Sequence, residues 1–156
     1  MDKLQFLKSE YIQLLNQLDE NTPPLFGKMN VQQMIEHVTY SFRQAAGELD
    51  NKTLHDETTT QKMYQFLMSD KPFKENTPNP LMPDIPAPAE HACTKDSLIE
   101  LNIAINHFVE KFQNNSELRI INPFFGNLNF TEWVQLLHKH TLHHLKQFGV
   151  NIATYQ

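Results

Sequence analysis

Four of the eight histidines in this 156-residue chain stand within seven positions, residues 138–144. On an α-helix, at about 100° per residue, Trp133, Leu136, Leu137, His140, His144 and Phe148 share an arc of roughly 120°. His140 and His144 take the middle of that arc, one turn apart, where a core helix normally carries leucine. Imidazoles on an apolar stripe cost desolvation energy unless a partner offsets it. Bonds to neighbouring side chains are one such partner. A metal ion is the other, because side chains at i and i+4 project from one face within reach of a single ion.

A third histidine, His37, is flanked at helical spacing by Gln33, Tyr40, Ser41 and Gln44. Together, His37, His140 and His144 form a candidate metal triad. Three neutral imidazoles suit zinc, nickel, copper or iron. Three protein ligands leave coordination positions open to water or substrate, the pattern of reactive rather than structural sites. The uncompensated charge of such an ion lowers the pKa of a bound thiol or water and supplies a nucleophile near neutral pH. Because ligation needs neutral nitrogen, occupancy is expected to fall as pH drops through the histidine range, near 6.5 for unperturbed imidazole.

The neighbours divide less sharply. His143, at the margin of the stripe, reads as a surface residue or a support for the ligands, with a fourth ligand or a proton shuttle as alternatives. His138 faces nearly opposite the pair and is expected to be exposed or at a subunit contact. Gln147 could bond a metal-bound water or be an ordinary bundle polar. Glu36 diverges from His37 by about 100° and is a poor co-ligand. Tyr40 and Ser41 could line a pocket, or be plain interhelical polars, and Trp133 is expected in the core.

These residues need helices to position them, and the chain supplies four long ones. The first runs from about Asp2 to Leu18, with Leu4, Leu7, Tyr11, Leu14, Leu15 and Leu18 on one face and Phe6 projecting away from it, toward a neighbouring element or another subunit. Asn30 with Gln33 forms a capping box for the second, which carries Met34, Val38, Phe42 and Ala45 inward and stops near Gly47. A short helix over residues 58–68 follows. Residues 71–93 then hold six of the nine prolines and form a long connection, expected to pack across an end of the bundle as a loop. Its apolar residues Phe73, Leu81, Met82 and Ile85 offer surface to bury. The third long helix, residues 94–114, places Leu98, Leu101, Ile105, Phe108 and Phe112 inward and His107 outward. A connector containing Pro123 and Gly126 leads to Asn129 and Glu132, which cap the last helix.

The expected architecture is therefore all-α: a four-helix bundle in up-down-down-up order with a long second crossover, one domain over residues 1–156. At 1.5 Å per residue, His37 lies about 10 Å below the start of its helix, and His140 and His144 average about 10 Å from the end of theirs. On antiparallel helices the three come out level.

Composition narrows the partners. A net charge of −5 with scattered lysines and arginines is a poor match for nucleic acid. The amphipathic N-terminal segment is unlike a signal peptide, and no stretch approaches the ~20 apolar residues of a membrane span. The one cysteine, Cys93, fits a reducing cytoplasm.

At FGKMNVQQMIEH and HTLHHLKQFG the sequence resembles the DinB-like superfamily of small metal-binding four-helix proteins, and PFFGNLNFTEW is similar to one subfamily within it. The resemblance implies that the family's metal triad falls on His37, His140 and His144, the residues already reached from spacing. It further implies a divalent metal, often nickel or zinc, and a homodimer. Some relatives are transferases or isomerases that use low-molecular-weight thiols, while many have no assigned activity. The expected function is a metal-dependent enzyme, a thiol-dependent transferase or a hydrolase acting on a small molecule. The alternatives are a non-catalytic metal- or ligand-binding stress protein, or an interaction module with structural histidines.

Overall fold

The computed structural model describes residues 2–156. It is mostly helical, with one two-stranded sheet. Helix α1 opens as Lys3–Gln5, widens to π-helical turns over Phe6–Glu10 and continues as Tyr11–Gln17. Helix α2 is Val31–Ala45, α3 is Glu57–Met68 and α4 is Thr94–Gln113. Strands β1, Ile120–Asn122, and β2, Gly126–Leu128, form an antiparallel hairpin ahead of α5, Phe130–Gln147.

The helix starts follow local chemistry. Asn30 and Gln33 make a reciprocal capping box, as do Asn129 and Glu132, so two of the orphan backbone donors at each helix start are satisfied by side chains. Asp56 caps α3 by accepting from the Thr59 backbone N–H. Helix α2 packs along α4 and contacts α5, while α1 lies against α4 and α5. Their shared core includes Tyr11, Met34, Phe42, Ile105, Phe108, Trp133 and Leu137, all essentially without solvent exposure.

Phe6, expected to project toward a neighbouring element or another subunit, meets a neighbouring element: it is fully buried against His138 of α5 and Tyr155. The π turn is the reason: its extra residue rotates the face locally, so that Phe6 and Leu7 both point inward. His138, read as exposed or at a subunit contact, is 4% exposed and packs edge-on against Phe6 at 5.2 Å. The side of α5 opposite the stripe is covered by α1 and by the C-terminal segment, with Tyr155 also stacked on Phe6.

The hairpin is not among the expected elements; spacing gives only a connector here. Asn122 Oδ1 accepts from the backbone N–H of Phe124 and Phe125, and Gly126 takes φ +87°, which together close the turn. The hairpin supports α5 directly, since Trp133 Nε1 donates to the Ile120 carbonyl at 3.1 Å.

Burying His138 has a pH consequence. Burial, reinforced by the nearby Lys3 ammonium, lowers its pKa to about 4, against the Tyr155 backbone bond, which raises it. The unfolded chain takes up this proton near pH 6.5, so the folded state is fully favoured above that value. Its advantage is lost as pH falls from 6.5 through about 4. The shift is worth roughly 3 kcal/mol, or about 2 kcal/mol after solvent screening. Its Nε2 has no hydrogen-bond partner, so an apolar replacement leaves that position no worse off. In chelator-treated protein, His138→Leu should lose about 2 kcal/mol less stability than wild type between pH 7.5 and 4.5 in urea melts. Equal losses would contradict this origin.

A candidate metal site at the wall of a cavity

Helices α2 and α5 bring His37, His140 and His144 together, with ligand-capable nitrogens all within 4.8 Å of one another. His140 Nε2 lies 3.0 Å from His37 Nε2 and 2.9 Å from His144 Nε2. The rings meet edge-to-face, with centroids 4.6 to 4.9 Å apart.

The tautomer of His144 follows from its surroundings. Gln147 Nε2 donates to the Phe26 carbonyl at 2.9 Å, which turns Oε1 toward His144 Nδ1 at 2.8 Å. Nδ1 therefore carries the proton, and Nε2 presents a bare lone pair to the cluster. Gly27, at φ +74°, makes room for this amide: a Cβ there would lie 2.7 Å from Gln147 Nε2. The Leu25 backbone N–H donates to the Gln147 carbonyl, tying the same loop to the end of α5.

With Nε2 of His144 bare, the two short contacts at His140 cannot both be ordinary hydrogen bonds. A proton on His140 Nε2 points along one of them only, and a proton on His37 leaves two lone pairs facing at the other. One cation shared by the three nitrogens removes the conflict. Nitrogens held at about 2.0–2.1 Å by one ion lie roughly 3–3.4 Å apart, near the 3.0 and 2.9 Å of the two His140 contacts. The residues present therefore fit a divalent metal, and three histidines this close could hold one.

Electrostatics keeps the imidazoles neutral. Burial, then the neighbouring His143, lowers the pKa of His37 to about 4. Burial and then the charges of adjacent histidines press His140 and His144 well below the usual histidine value. Proton competition for these nitrogens is thus displaced below the range near 6.5 that unperturbed imidazoles would give.

The triad lies on the wall of a cavity of about 730 Å³, within the range of small-molecule sites. Tyr40, Ser41 and Trp133 also line it, Trp133 from a fully buried position. His143 is partly buried between Phe26 and Phe73. Glu36 turns away from the site. Its carboxylate accepts from the backbone N–H of Glu90 and His91 and from Ser97 Oγ.

The proline-rich segment packs over this same cavity. Phe73 stacks on Phe66 and Phe125 and faces His140 at 6.4 Å, and residues 76–82 continue the wall. Of the apolar residues expected to bury it, Phe73 and Met82 are partly buried, but Leu81 and Ile85 are 50% and 77% exposed. Anchoring comes instead from polar contacts at both ends. Gln33 and Gln32 donate to the Ala87 and His91 carbonyls.

At the other end, Lys139 Nζ donates to the carbonyls of Phe66, Ser69 and Lys71, a role that nothing in the helical spacing distinguishes from a solvated lysine. Lys139→Met leaves those carbonyls without their donor, at a cost of about 1–3 kcal/mol. Trypsin should then cut between Lys71 and Lys95 several times faster than in wild type under native conditions. An unchanged rate would mean that Lys139 does not hold the segment.

Fold and site together define a mostly helical protein with a histidine cluster able to hold a metal ion at the wall of a ligand-sized cavity. The model of the DinB superfamily matches residues 4–148, and the chain belongs to that superfamily. Neither a curated protein nor a solved structure matches it.

Proposed function

We propose that the protein is a divalent-metal-dependent enzyme whose ion is held by His37, His140 and His144 and whose small-molecule substrate enters the adjoining cavity. The observation that carries this reading is the convergence of three neutral Nε2 atoms with the His144 tautomer fixed by Gln147. Zinc or nickel is the preferred ion, with iron and copper also compatible with the donor set. When bound, the ion activates a coordinated thiol or water as nucleophile.

The chain's own residues supply the rest. Gln147 orients His144, Phe73 and Phe125 restrict water at the cavity wall, and His143 stands beside the triad with a lowered pKa set chiefly by its burial. Transfer to or from a low-molecular-weight thiol is the favoured reaction class, and hydrolysis the second. Within this reading the four long helices form a single up-down-down-up domain, with residues 46–93, α3 included, as the crossover between α2 and α4. A homodimer in the cytoplasm completes the proposal.

Zinc- and nickel-loaded protein should turn over members of a thiol-acceptor or ester panel, with activity lost on chelation and restored by the ion. Tight metal binding with no turnover on either panel would favour a non-catalytic metal-binding protein instead.

A further inference from the structure

The charge lining the cavity is the opposite of the charge on the whole chain. The sequence carries 18 acidic against 13 basic side chains, yet among the described residues no aspartate or glutamate lines the cavity. Lys74 is its one lysine or arginine. Glu75, the nearest acid in sequence, is engaged with Lys146 at 2.8 Å, and Lys74 has no ion-pair partner among the described residues. The remaining wall is largely apolar and aromatic, with Phe66, Phe73, Phe124, Phe125, Leu136 and Met82 among its residues. A cationic ligand would find no counter-ion there.

We propose that the cavity takes an apolar monocarboxylate, an aliphatic or aromatic body with one anionic head, and that Lys74 is the residue that selects the charge. The inference rests on the proposed function for the site's being a substrate pocket. Its charge preference comes from side chains outside the triad. Lys74 stands on the loop that covers the cavity, so the same segment that closes the site also sets what it admits. The apolar wall gives affinity in proportion to the area removed from water. The unopposed positive charge discriminates between heads of equal size.

Trp133 is the only tryptophan in the chain and lines the cavity, so its fluorescence reports occupancy directly. Decanoate, decanol and decylamine are titrated into the protein at neutral pH below their micellar concentrations, with metal content measured on the same samples. Decanoate should bind at least tenfold tighter than decanol, and decylamine weakest. In chelator-treated Lys74→Gln, where the ion's own charge does not contribute, the decanoate-to-decanol ratio should shrink to under threefold while the decanol Kd is unchanged.

Decylamine binding as tightly as decanoate, or no saturable signal, would overturn the inference. An unchanged ratio in Lys74→Gln would overturn the assignment to that residue. The two proposals fail separately. Metal-loaded protein with no carboxylate preference removes this one alone, whereas metal-free protein that keeps the preference sustains it and counts against the metal site.

Discussion

His37→Ala and His144→Ala proteins are expected to purify with less than about a tenth of the wild-type metal content, while remaining folded. Each substitution removes one of three nitrogens that converge on one point, and two imidazoles hold a divalent ion far less firmly than three. Folding should survive because the helices are held by a core of which these histidines are not members. Removing a buried imidazole also removes its desolvation cost, which is consistent with the depressed pKa values of all three. Elemental analysis beside circular dichroism reads both halves of the expectation. Wild-type metal content in folded His144→Ala would remove that residue from the ligand set.

The second large effect is expected at a residue that touches no ion. Gln147→Leu keeps the volume near Phe26 and Gly27 but takes away the acceptor for His144 Nδ1–H. The imidazole is then free to place its proton on Nε2, where it competes with ligation. Loss of such a supporting bond typically costs 10–100-fold in metal affinity, and competition with a chromophoric chelator measures it. Gln147→Glu, whose carboxylate still accepts from Nδ1, should recover much of the loss, although the Phe26 carbonyl loses its donor. Equal affinities in Gln147→Leu and wild type would mean that the amide fills space and no more.

The triad was legible in the sequence because it breaks a pattern. Leucine spacing on the last helix makes His140 and His144 conspicuous, and the level depth of His37 needs only the rise of a helix. The roles around the triad were hidden because helix α5 is enclosed on nearly every side. Glu132, His138, Lys139, Thr141 and Gln147 are all polar and all buried. Spacing gives Glu132 its capping role and leaves Gln147 a possible site polar, but it reads His138 as exposed or at a subunit contact and Lys139 as solvated, and only their partners on other elements show otherwise. Lys139 answers to carbonyls at the end of α3, and Gln147 to the loop at Phe26. Phe6 reads as lying off the apolar face, and its burial beside Leu7 needs the π turn, for which an ideal helical wheel has no provision. The short hairpin is likewise set by an Asx turn and one glycine rather than by alternating strands long enough to recognise.

The central claim is that three histidines from two helices hold one ion, and metal stoichiometry of untagged protein purified without chelator tests it most directly. Inductively coupled plasma mass spectrometry against protein concentration should give about one divalent ion per chain, with zinc or nickel the main element. Less than about a tenth of an ion per chain, unchanged after incubation with excess zinc or nickel and desalting, would contradict it.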